Sequence, residues 1–187
     1  VVNPYLEPGL ERYWVPSAVE SYLFGTRIAS LHVPVRPGGD VAFANAVLQC
    51  LDERGAIDRR FVDAHTEGWD ELRSALGAQP RDELLAQAGL EAHHVDAFVD
   101  AYAAAASAIL IWSMGITQHR DGAHGVQAIV NLALARGNVG RDGAGLMPIR
   151  GHSGVQGGAE MGAYATALPG GVDVDAPHAR ELAQRWG

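Results

Sequence analysis

Residues 107–137 read SAILIWSMGITQHRDGAHGVQAIVNLALARG. The run SAILIWSM is continuously apolar and follows a helical stretch, as expected of a parallel strand covered on both faces. GITQHRDGAHG then reads as a loop, and VQAIVNLALARG as a helix stopped by Gly137. Working towards the amino terminus, SLHVPV predicts a second strand over 29–35, and VVNP the end of a third, stopped by Pro4. RPGGD is a tight turn after the second strand, with Asp40 placed to cap a helix whose apolar positions are Val41, Ala44, Val47, Leu48 and Leu51. Gly55 closes that helix, and Ser17 with Glu20 has the pattern of a capping box. Shorter helices are expected over 58–65, 69–76 and 80–88. A longer one over 91–106 has Val95, Phe98, Val99 and Tyr102 on one face. Strands alternate with helices, so the expected class is α/β: a Rossmann-like parallel sheet flanked by helices. Residues 1–170 form the expected α/β domain, with 171–187 an irregular or linker tail.

The 187 residues are 48% apolar and 19% charged, the balance of a globular chain. A formal net charge of −8 argues against a nucleic-acid surface, which presents a basic face. It leaves room for a phosphate-bearing small ligand, held by backbone N–H groups and a few arginines. No apolar run approaches the ~20 residues of a membrane span, and no basic-then-apolar leader opens the chain. The first residues read as the inside of a strand, so an excised fragment, cytoplasmic in its parent, is expected. The single cysteine, Cys50, lies in a helical stretch. A disulfide framework and a cysteine-built metal cluster are therefore excluded for this segment. Cys50 reads as a structural thiol, with a reactive thiol as the alternative.

In open α/β sheets ligands sit beyond the carboxyl ends of the strands. Here those ends lead into NPYLEPG, RPGGD and MGITQHRDG, expected to share one edge. Gly38 and Gly39 permit close backbone approach. Asp40 offers a carboxylate that can accept two hydrogen bonds from the N1–H and amino group of guanine, or serves as an ordinary helix cap. Gly115 permits a sharp turn, Gln118 offers donor and acceptor, and Arg120 a fork of donors for phosphate. No G-x-G-x-x-G dinucleotide fingerprint follows a strand, and no G-x-S-x-G nucleophile elbow is present. Residues 143–158, GAGLMPIRGHSGVQGG, read as one long glycine-rich binding loop reaching the same edge. Within it Arg150, flanked by Gly151, can grip a small carboxylate through two parallel hydrogen bonds, and His152 can pass a proton. A surface salt bridge and a solvated histidine are the plain alternative. His93 and His94, adjacent on a helix, are expected to point apart, and no histidine set for a protein-held metal emerges.

Three stretches carry a family resemblance together: HVPVRPGGDVAFANAVL at 32–48, DRRFVDAHTEGWDEL at 58–72, and ILIWSMGITQHRDGAHGVQAIVNLALARGNVGRDGAGLMPIRGHSGVQGGAEMG at 109–162. In this order they resemble the molybdopterin-dependent oxidoreductases, above all the formate dehydrogenase alpha subunits and their homologues. The resemblance implies that this α/β domain is one segment of a larger multi-domain catalytic subunit, with molybdenum or tungsten held by two molybdopterin guanine dinucleotides. It implies a small oxyanion substrate such as formate, further domains of the same subunit, and an electron-transfer partner. By matching position, Asp40 would read a guanine, with Arg36 and Gly38 lining that site and Met114, Gly115 and Gln118 lining the dinucleotide from the next loop. Asn3 and Tyr5 stand where the family's first such loop meets the cofactor, at positions where many members have an acidic residue and an arginine. Arg150 matches the arginine that orients formate. Gly151, His152, Gly154 and Gln156 match the stretch beside the metal, where formate dehydrogenases often carry an amide in place of His152.

The family's metal-ligating cysteine or selenocysteine and its iron–sulfur cysteines have no counterpart here, so the isolated segment is expected to be inactive and any iron–sulfur cluster to lie outside it. Two other readings stay open: a nucleotide-using α/β transferase, and a degenerate interaction domain that keeps the fold without the cofactor.

Overall fold

The computed structural model describes residues 1–162, 165–168 and 171–187. The elements run α1 (Pro8–Glu11), α2 (Val19–Phe24), α3 (Asp40–Glu53), α4 (Arg59–His65), α5 (Trp69–Gly77), α6 (Arg81–Ala88), α7 (Ala92–Ala104), β1 (Ile109–Trp112), α8 (Met114–Thr117), α9 (Gly122–Ala135), β2 (Gly145–Pro148), α10 (Val155–Glu160), β3 (Ala167–Leu168), β4 (Val172–Asp173) and α11 (Pro177–Trp186). They divide into two compact units, Val1–Met147 and Pro148–Gly187. The domain division expected at 170/171 adjoins Gly170, which lies outside the described residues.

The first unit is organised by α3. Its small and apolar residues Ala42, Ala44, Ala46, Val47, Leu48 and Leu51 are buried, and it packs against α5, α6, α7 and α9. The alanines let neighbouring backbones come close, while Leu48 and Leu51 fill the centre. Gly55, at φ 63°, turns the chain out of the helix in a conformation that favours glycine. Asp58 caps α4, its carboxylate accepting from the Phe61 N–H at 3.0 Å. Phe43 and Phe98 meet edge to face at 5.1 Å, joining α3 to α7. Cys50 is buried, and burial pushes its thiol pKa upward.

The helices at 40–53, 59–65, 69–77, 81–88 and 92–104 follow the apolar spacing. The sheet is smaller than expected. β1 pairs with β2, and β3 pairs with β4 antiparallel, Ala167 opposite Asp173. The architecture is a set of helices around a small parallel sheet. The strands expected at 29–35 and at the first residues reduce to one parallel bridge, Val2 to Val33. Pro4 and Pro34 lack the N–H that would extend its ladder. Ser17 does not cap α2, whose cap residue is Ala18 with no side-chain bond. The expected single loop over 143–158 contains β2 and the start of α10, and residues 171–187 form β4 and α11 rather than an irregular tail. Within the second unit, α11 packs against β4. Among the described residues, no helix is long and apolar enough to cross a membrane.

Candidate functional site

The first unit holds all three of the loops expected at the strand ends. One leaves the buried Val33 and Val35. The parallel bridge sets Asn3 beside it: the Asn3 N–H donates to the Val33 carbonyl at 3.1 Å, and His32 Nε2 lies 2.8 Å from the Asn3 carbonyl oxygen. The Asn3 side chain donates to the Tyr5 carbonyl at 2.6 Å. The turn itself is tight, with the Gly39 N–H bonded to the Arg36 carbonyl at 2.9 Å. Gly38 has φ +81°, and the space where its side chain would sit is open.

Gly39 has a different task from ligand approach. A Cβ there would lie 2.7 Å from the Cα of Ala88 and 3.0 Å from the Gln87 carbonyl oxygen, so the missing side chain lets this turn lie on the end of α6. The contact is reinforced by the Arg36 N–H donating to the Ala88 carbonyl at 3.0 Å. The aliphatic stem of Arg36 covers Gly89. Its guanidinium is exposed and has no side-chain partner among the described residues.

Asp40 is the first residue of α3, the cap position being Gly39. Its carboxylate is half-buried, and burial raises its pKa above the ordinary value of 3.8. The backbone N–H groups of Asp40 and Gly38 and the charge of His119 act in the opposite direction. His119 comes from the second loop, after β1. The structure therefore brings the 36–40 turn and the 114–119 segment close enough for their charges to interact.

The second loop departs from expectation in its shape. Met114 to Thr117 form one helical turn, and α9 begins already at Gly122. Gly115 needs no special conformation, and space beside it is open. The required glycines are Gly122 and Gly125. A Cβ on the first would collide with the Thr117 carbonyl, and one on the second would lie 2.9 Å from Cγ2 of Ile116. The Gln118 amide donates to the Met114 sulfur at 3.5 Å.

A buried polar knot fixes where β1 starts. Asn138 accepts from the Ala108 N–H at 3.1 Å and from Arg141 at 2.7 Å. It donates to the Tyr102 hydroxyl at 3.0 Å, which donates to the Leu132 carbonyl at 2.8 Å. Arg136 bridges the Ala56 and Ala103 carbonyls at 2.6 and 2.8 Å. The Asn138 amide and the Tyr102 hydroxyl are thus partnered, whereas the buried Nε of Arg136 has no hydrogen-bond partner among the described residues. The sequence reading used Tyr102 only as an apolar face residue and assigned Asn138 no role. Nothing local marks the Asn138–Tyr102 pair, since Asn138 meets Ala108 and Tyr102, and Tyr102 meets Leu132, across thirty or more residues of sequence.

In the second unit, Arg150, Gly151 and His152 are exposed. The Arg150 and His152 side chains have no partner among the described residues. Gly154 caps α10 at φ 70°, and Gln156 donates to Glu160 at 3.2 Å. His93 and His94 do not point apart: their rings lie 3.9 Å from each other, His94 accepting the Glu91 N–H and His93 facing the Glu91 carboxylate. Among the described residues no group of three or more His, Cys, Asp or Glu is placed to hold a metal ion.

The first unit thus sets helices around a small parallel sheet, with an acidic residue opening a long helix within electrostatic reach of His119 in the loop after β1. The chain belongs to the molybdopterin oxidoreductase family, whose pattern it matches over residues 15–183. It is 39% identical over 173 residues to Protein YdeP of Escherichia coli (strain K12), a match covering 86% of this chain and 23% of YdeP. It is 35% identical over 162 residues to Formate dehydrogenase H of the same organism, covering 86% of this chain and 23% of that protein. In fold it is similar to the Acetylene Hydratase from Pelobacter acetylenicus, with a TM-score of 0.58 at 20% identity over 63% of this chain and 16% of that one. The chain thus spans about a quarter of the length of these curated relatives.

Proposed function

We propose that this chain is the cofactor-binding part of an oxidoreductase that uses molybdopterin guanine dinucleotide and is formate dehydrogenase-like. The observation that supports the reading is that the 36–40 turn and the 114–119 segment lie close enough for the charges of Asp40 and His119 to interact. An extended dinucleotide needs contacts from several strand-end loops. The groups present fit such a ligand: a half-buried carboxylate at Asp40, an exposed guanidinium at Arg36 and the amino end of a fourteen-residue helix.

In this proposal Asp40 accepts from the N1–H and amino group of guanine. Arg36 neutralises phosphate, and Asn3, Gly38, Met114, Gly115, Gln118, Gly151 and Gln156 line the two dinucleotides. A bound molybdenum or tungsten centre would supply the two-electron redox chemistry. Arg150 holds the substrate carboxylate through paired N–H donors. His152 takes or returns a proton beside it. The name of Formate dehydrogenase H supports formate, or another small oxyanion, as substrate. A Rossmann-like flanked sheet completed in the full-length protein, an iron–sulfur cluster elsewhere in it, an electron-transfer subunit and a cytoplasmic location belong to the same proposal.

The test is made on the full-length protein. Arg150→Ala is expected to lower formate turnover by roughly 100-fold or more, through lost substrate positioning, while metal content by elemental analysis stays at the wild-type level. Unchanged turnover removes Arg150 from the active site. Asp40→Asn is expected to lower the guanine nucleotide released on denaturation, and wild-type nucleotide content excludes Asp40 as its reader.

A further inference from the structure

Residues 10–29 form an arm that is ordered by polar pins rather than by a core of its own. Tyr13 and Thr26 pair as an antiparallel bridge, with backbone bonds of 2.9 and 2.8 Å in both directions. Ser21, itself buried, accepts from the Val15 N–H at 2.8 Å and from the Thr26 hydroxyl at 2.9 Å, and donates to the Tyr13 carbonyl at 3.1 Å. The Ile28 and Ala29 N–H groups both reach the Leu10 carbonyl at 2.9 Å. Gly25, at φ +73°, packs under the stem of Arg12.

This frame holds apolar side chains outward. Val19 is 79% exposed, Tyr22 74% and Phe24 73%, with Trp14 and Leu23 also exposed. A groove of about 490 Å³ runs between Trp14, Tyr22, Leu23 and Phe24, with Arg12 at its side. The Arg12 guanidinium has no side-chain partner among the described residues. A floppy apolar loop would collapse onto its own chain; a pinned one that displays its aromatics is pre-organised to be covered. Contiguous apolar surface of this kind marks an interface.

We propose that this arm is a docking surface for another part of the same polypeptide, a segment outside these 187 residues that brings an apolar helix or strand face into the groove and a carboxylate to Arg12. One observation favours a covering segment in cis: more than three-quarters of the length of the curated relatives lies outside the matched region, which supplies the chain. The assignment does not depend on the cofactor reading.

A photo-crosslinking amino acid placed at Tyr22 in the full-length protein tests it. Tyr22 is exposed in this segment and outside every hydrogen-bonded pin, so its replacement leaves the arm's frame intact. Irradiation is expected to join position 22 to a peptide of the same molecule lying outside residues 1–187, identified by mass spectrometry without a change in subunit mass. Arg12→Glu is expected to reduce the yield of that product, because it sets like charges against each other. A product of twice the subunit mass assigns the surface to a second copy and overturns the proposal. A product with a different protein, or no product, overturns it also, and an undiminished yield with Arg12→Glu overturns the carboxylate assignment.

Discussion

A methyl group at Gly39 would lie 2.7 Å from the Cα of Ala88, a backbone atom that cannot swing aside. Gly39→Ala is therefore expected to cost about 1–3 kcal/mol through overpacking, read as a lower midpoint in denaturant with an unchanged slope. The same substitution at Gly38 meets no neighbour but forces a side chain into φ +81°, so the two adjacent glycines fail for different reasons. Asp40 acts in the opposite sense. Its pKa is raised by burial, so the folded protein holds that proton more tightly than the unfolded chain. Between the ordinary carboxylate value and the raised one, stability falls as pH rises. Asp40→Asn is accordingly expected to stabilise the cofactor-free protein at neutral pH, with the advantage over wild type shrinking as pH is lowered through the carboxylate range. Thermal melts of both proteins across pH check the sign.

At the level of elements, the junction between α8 and α9 depends on two absent side chains. Gly122→Ala places a Cβ against the Thr117 carbonyl and is expected to push α8 outward. Faster amide exchange over 114–119, with unchanged exchange in α3, is the signature. Much of this level was legible in the sequence, because α3, α4, α5, α6 and α7 bury faces whose apolar spacing is written locally. β1 was legible for the same reason, although only part of its expected cover is present: Ile109 and Ile111 are exposed, while Leu110 packs against the core. What escaped local reading was set by distant partners. The Asn138 side chain is chosen by Ala108, Arg141 and Tyr102, and the turn at Gly39 by the end of α6. Proline cut the amino-terminal strands to a single bridge, and β2 was hidden by glycines that resemble a loop. For the candidate site, the residue types at 36–40 and 114–118 were apparent, but the part taken by His119 was not, since its neighbour Asp40 is seventy-nine positions away.

Across the whole molecule, charged side chains gather at the far end of α3. Asp52 meets Arg73, Glu53 meets Arg81, and Arg54 joins Asp96 and Asp100. These pairs are largely exposed, and salt screens them readily. The folding energy rests instead on the buried residues of α3 and their partners on α6, α7 and α9. Cys50 belongs to that interior, at 3% exposure, with a thiol whose ionisation burial opposes. The chain has no other cysteine, so this segment is a silent background for site-directed labelling. A maleimide dye added to the native segment is expected to ignore position 50, leaving any engineered thiol on its surface as the sole attachment point there. Slow modification of Cys50 itself would then time how often the helical interior breathes open.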